Sequence, residues 1–250
     1  VVSPAGSPAT VLVATDGGVS LLESQQWTLA QKAAHMQAAV SPRHDRHGYV
    51  TDCALVPAGN LSGYELRASD NDGLWTSIYA ASQALRYATT REPAARAEAI
   101  RRYEALHFLF EAPAAGPPWR FPARSVVRVG EAYGPSRCPL APCWRNSTTR
   151  PGWVWKADTS SDELTGHTFF YPLLKRHGDL NASEAASVRS VVDGLVGGLV
   201  MHNLSLIDPG TGKHTSWGNF GPHWLNDVRS WSDDRGLRAL EILSYLAAAE

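Results

Sequence analysis

The chain has 250 residues, 44% of them hydrophobic, and a formal net charge of −1. That length suits one large domain or two small ones. The near-zero charge gives no electrostatic footing for nucleic acid or an acidic membrane surface. No apolar run approaches the roughly 20 residues a membrane-spanning helix needs. No signal peptide is visible at the start, so the numbering is expected to begin inside a mature or trimmed chain.

Residues 1–9 are Pro, Gly, Ser and Ala-rich and read as a linker or frayed end. Thr10–Thr15 is a strand run, Asp16-Gly17-Gly18 a turn, and Val19–Leu22 a returning strand. A helical period follows from Trp27 to Val40, with Pro42 expected to stop it. Arg43–Gly48 is a charged loop whose His44 and His47 are three apart. They are weak metal candidates, since a third ligand must come from elsewhere; an exposed basic turn explains them equally well. Tyr49–Leu55 looks extended, and 57–63 is a turn-rich loop.

Ser69-Asp70-Asn71-Asp72-Gly73-Leu74-Trp75 opens a helix expected to reach Thr90. A calcium loop is excluded there, because Leu74 and Ala81 stand at the fifth and twelfth positions, where oxygen ligands belong. Ser69 and Asp72 have capping-box spacing. Two further polar groups in the same turn, Asp70 and Asn71, next to Trp75, exceed what a cap needs, and the turn suits half of a sugar-binding site. Glu92-Pro93 starts the next helix, to about residue 112, forming an αα-hairpin. Residues 113–152 read as a long irregular stretch. Within it, Cys138 and Cys143 bracket a proline-stiffened loop suited to a local disulfide, and Cys53 is left over.

Trp153 to His167 concentrates two tryptophans, Lys156, Asp158, Asp162, Glu163 and His167 in one segment. Thr159 with Asp162, and Ser160 with Glu163, both fit capping boxes at the start of a helix running to about residue 177. Glu163 and His167, four apart, share a face with Phe170, Tyr171 and Leu174. Buried there they need partners, so they either pair structurally or line a cleft. A helix follows from Ser183 to Asn203, then a hairpin over 206–215, an aromatic, glycine-rich loop over 217–226, and a last helix through Leu237, Leu240, Ile242, Leu243 and Leu246.

Four of the seven asparagines, Asn60, Asn146, Asn181 and Asn203, begin N-x-[ST] triplets, which points to a secreted glycoprotein. The segments Thr15–Val19, His44-x-x-His47-Gly48, Asp70–Trp75, Pro122–Ser125, Trp155–His167, Thr215-x-Trp217-Gly218, Leu225-Asn226 and Arg235–Leu237 together resemble a poorly characterised secreted family. Its α-helical toroid is similar to the six-hairpin glycosidases and follows a β-propeller of the two-component-regulator type. The resemblance implies a mainly α fold. Residues 1–24 would be a propeller-like strand or hairpin, and 25–250 a toroid of helical hairpins, truncated at its end. A full toroid has about twelve helices, and six are counted here.

Two functions are expected from these residues. The first is a secreted carbohydrate-active protein of glycoside hydrolase type, acting without a cofactor. The resemblance assigns acid–base roles to Asp158, Asp162, Glu163, His167, Asp70 and Asp72. Trp75, Trp155 and Trp217 are expected to stack on sugar rings, with Lys156, Arg124 and Asn226 as further substrate contacts. The second is a non-catalytic glycoprotein, a homo-oligomeric subunit of an extracellular filament or coat. Convergence of the carboxylates and tryptophans on an open pocket favours the first. Burial of the Asp158–His167 segment favours the second.

Overall fold

The structure, a computed structural model, describes residues 10–113, 121–131 and 142–250. It is mainly helical, about 51%, with small antiparallel hairpins. The chain divides into two compact units, residues 1–42 and 43–250.

In the first unit, β1 (Thr10–Thr15) and β2 (Gly18–Glu23) pair antiparallel, with Thr15 opposite Gly18. Helix α1 (Leu29–His44) opens on a capping box: the Gln31 side chain accepts from Thr28 N at 2.9 Å, and Thr28 Oγ1 from Gln31 N at 3.2 Å. Pro42 does not end this helix as expected but lies within its last turn. The pyrrolidine removes one hydrogen bond there, close to the frayed end.

The second unit begins with two short antiparallel hairpins, β3 (Asp45–Arg46) with β4 (Tyr49–Val50), and β5 (Asp52–Leu55) with β6 (Tyr64–Arg67). Helices α2 (Asp72–Thr90) and α3 (Pro93–Glu111) form the expected αα-hairpin, turned by Arg91 in the left-handed region at φ 57°. A three-stranded antiparallel sheet follows. In it β9 (Trp153–Lys156) lies between β7 (Val126–Arg128) and β8 (Trp144–Asn146). The remaining elements are α4 (Ser161–His177), α5 (Ala182–Met201), the hairpin of β10 (Ser205–Ile207) with β11 (His214–Asn219), α6 (Pro222–Asp227) and α7 (Arg235–Ala247). Helix α6 replaces part of the expected aromatic loop; Pro222 sits in its first turn, where a missing N–H is harmless. The described residues therefore hold seven helices rather than six.

The core lies where α2, α3, α4, α5 and α7 meet, around Leu106, Phe110, Leu164, Phe170, Leu174, Leu195 and Tyr245. The contact of α2 with α4 is the most extensive between elements, and two glycines permit it. A Cβ on Gly166 would stand 2.6 Å from Leu74 Cα, and one on Gly73 would overlap the Glu163 carboxyl. This close approach brings two polar helix starts together.

Candidate functional site

The start of α2 is locked from several sides. Asp72 is fully buried; it accepts from Arg46 at 2.7 Å, from Ser69 N at 2.9 Å, from Ser69 Oγ at 2.7 Å and from Ser125 Oγ. Burial pushes its carboxyl pKa up, against the pull of Arg46 and these donors. Arg124, on the segment entering β7, donates to the Asp70 carbonyl at 2.8 Å, the Asp158 carbonyl at 3.0 Å and Asn71 Oδ1 at 2.9 Å. Lys156, at the end of β9, reaches the Asp70 carboxylate.

The start of α4 is held in the same manner. Neither of its expected capping boxes forms: Ser160 is the N-cap residue but makes no side-chain cap bond. The hydroxyls and acids turn outward to neighbouring elements. Thr159 donates to the Pro122 carbonyl at 2.5 Å, and Ser160 to Asn71 Oδ1 at 3.1 Å. Asp162 accepts from Asn71 Nδ2 at 3.3 Å, and Glu163 from Gly73 N at 3.2 Å. Asp158 makes the turn into α4 at φ 57° and accepts from Ser216 N at 2.6 Å. Segments far apart in sequence thus converge, with Asn71 joining α2, Arg124 and α4.

Convergence does not open all of these groups to solvent. Asp72, Asp158, Glu163 and His167 are each at most 1% exposed. Glu163 and His167 lie 3.8 Å apart, too far for a hydrogen bond, and His167 Nδ1 is instead 2.8 Å from the Tyr171 hydroxyl. Burial holds Glu163 well above the usual carboxylate range and lowers His167 to about 3, so the imidazole is neutral near pH 7. Trp155 and Lys156 are buried as well.

What faces water is a cleft of about 510 Å³, lined by Asp70, Arg124, Ser160, Asp162, Trp217 and Arg238. Its size lies within the roughly 300–1,000 Å³ usual for small-molecule sites. Trp217, in β11 beside Ser160, presents a half-exposed ring. Arg238 of α7 closes one wall, its Nη1 donating to the Trp217 carbonyl at 2.8 Å. Glu241, one helical turn on, lies 3.5 Å from Arg238. Burial first, then nearby Asp162, raises its carboxyl pKa against the pull of Arg238.

Of the expected site residues, Asp70, Asp162, Arg124 and Trp217 line this cleft. Trp75 and Asn226 are exposed, but neither lines it. Asn71 was legible only as a polar member of the turn before Trp75, and Arg238 and Glu241 were not singled out from the sequence. A signal for the last two existed, since they lie three apart on the turn of α7 that also carries buried Ile242.

His44 lies 3.0 Å from the Thr51 carbonyl and His47 2.5 Å from Glu131. No group of three or more metal-ligating side chains occurs among the described residues. All four sequon asparagines are exposed. Cys138 lies outside the described residues, and with it the expected Cys138–Cys143 pairing; Cys53 has no disulfide partner among the described residues. No helix among the described residues is long and apolar enough to cross a membrane. Compared with known protein families, curated proteins and solved structures, the chain matches none.

Proposed function

We propose that the cleft at the starts of α2 and α4 binds a saccharide, and that the protein is a secreted, carbohydrate-active glycoprotein of glycoside hydrolase type. One observation carries this reading: a half-exposed tryptophan ring and two carboxylates, Asp70 and Asp162, border the same open cleft. Flat rings stack on sugar faces, and carboxylates accept hydroxyls or act on a glycosidic bond. The buried Asp72, Asp158, Glu163 and His167 hold the helix starts in register, while acid–base work falls to Asp162 with Asp70 or Glu241. The helical hairpins α2–α3 and α4–α5 fit part of an α/α toroid, and the exposed sequons fit secretion.

Affinity electrophoresis through gels containing plant and algal polysaccharides, with reducing-sugar release measured on the same panel, tests this. Trp217→Ala is expected to abolish retardation. Asp162→Asn is expected to keep retardation while losing sugar release. Retardation by no polysaccharide would overturn the reading.

A second reading, a structural subunit of a filament or coat, is favoured by a different observation. Leu237, Leu240 and Leu243 form an apolar stripe on α7 that faces solvent in the single chain. Light scattering that shows a monomer at high concentration would remove it.

A further inference from the structure

The chemistry of the cleft's ligand is written in Arg238. Its side chain is 7% exposed, and its guanidinium stacks over Trp231 at 5.0 Å and Phe220 at 5.6 Å. Such stacking fixes the plane of the group. Its hydrogen bonds among the described residues run through Nη1 alone, to the Trp217 carbonyl at 2.8 Å and to Glu241 at 3.5 Å. The Nε–H is buried and has no acceptor among the described residues. A buried donor left unpaired costs about 1–3 kcal/mol, so this edge is set for an acceptor that the described residues do not supply. Nε–H and the neighbouring Nη2–H point the same way, forming the fork that takes both oxygens of a carboxylate.

The surrounding charges leave room for an anion at this end of the cleft. Asp70 is answered by Lys156, with Arg124 at 3.7 Å. Arg124 has three of its five N–H donors committed to the Asp70 and Asp158 carbonyls and to Asn71, its Nε–Nη2 edge among them, so the free edge of Arg238 is the better fork for a ligand. Asp158 is turned to Ser216 N, and exposed Asp162 to Asn71. Glu241 meets Arg238 through Nη1 at 3.5 Å, the long end of a hydrogen bond, and so leaves the Nε–Nη2 edge of the guanidinium unanswered.

We propose that the cleft takes an acidic saccharide, with a uronate carboxylate on the free edge of Arg238 and the sugar face on Trp217. This rests on the saccharide reading above. The 2.8 Å bond from Arg238 to the Trp217 backbone keeps the two contacts side by side.

Calorimetric titration of the full chain with trisaccharides of galacturonate, mannuronate and glucuronate, each beside its neutral hexose counterpart, tests the proposal. At least one acid is expected to bind about 10- to 100-fold more tightly than its counterpart, the fold-change of one charge-assisted pair. Arg238→Lys keeps the charge but loses the fork, and is expected to erase most of that preference. Should this variant fail to fold, the acid-to-neutral ratio of the unaltered chain still decides. Neutral sugars binding as well as acids would overturn the acidic-ligand inference and leave the saccharide cleft standing. Binding of neither class would remove both.

Discussion

Burial makes Glu163 hold its proton to higher pH than a glutamate in water does. It was expected to work with His167 at a site mouth, and it lies instead under the backbone of Gly73, with one carboxyl oxygen unpartnered among the described residues. Its folded pKa stands above the unfolded value of about 4.5. Its contribution to stability is therefore complete below that value and is lost as pH rises through the folded pKa. His167 has the opposite sign. Its folded pKa of about 3 lies below the unfolded value, so its contribution is complete above about pH 6.5 and is lost as pH falls towards 3. Glu163→Gln keeps the shape and removes the proton that must be held. It is expected to raise the melting temperature more at pH 8 than at pH 5, in thermal melts across that range. A variant whose advantage shrinks as pH rises would show that the carboxylate is ionised in the folded chain.

At the scale of elements, the contact between α2 and α4 sets the site, and Gly73 and Gly166 allow it. Gly166→Ala places a methyl against the backbone of Leu74, which cannot rotate away. It is expected to cost about 1–3 kcal/mol or more in denaturant unfolding. Ala at Gly197, inside α5 with nothing within 4 Å of the added carbon, is the control, expected to stabilise by up to about 1 kcal/mol through helix propensity. The elements themselves were largely legible: the α2–α3 hairpin, the hairpin at 205–219 and the start of α4 follow from turn residues and apolar spacing. The roles of the polar residues at the helix starts were not. Thr159, Ser160, Asp162 and Glu163 have the spacing of local caps, yet their partners are Pro122, Asn71 and Gly73, which only the tertiary fold brings near. Among the described residues of the second unit, the capping box that forms joins Asn181 and Glu184, on a sequon asparagine. Accepting through Oδ1 leaves its Nδ2 for a glycan.

Helix α7 shows a second limit. The leucines at 237, 240 and 243 suggest an inward stripe, whereas Arg238, Ile242 and Tyr245 are the residues buried. Arg238 is held by rings from Phe220 and Trp231 and by the Trp217 carbonyl, and that combination outweighs leucine burial in setting the helix's rotation. The sheet of β7, β8 and β9 was also missed. Its central strand reads Trp-Val-Trp-Lys, and the alternation was hidden by the chemistry suggested for the same residues.

Over the whole second unit, distant segments meet as the sequence led one to expect, but they form two layers. An inner layer of Arg46, Asp72, Glu163 and His167 is sealed and fixes the helix starts. An outer layer of Asp70, Asp162, Trp217 and Arg238 meets solvent. Carboxyl footprinting by carbodiimide coupling and mass spectrometry, with and without a bound oligosaccharide, separates the layers in one measurement. Asp70 and Asp162 are expected to label and to be protected by the sugar, while Asp72, Asp158 and Glu163 stay unlabelled throughout. Labelling of Glu163 or Asp158 as fast as Asp162, or no protection of Asp162 by a sugar that binds, would contradict the division between a sealed hub and an open cleft.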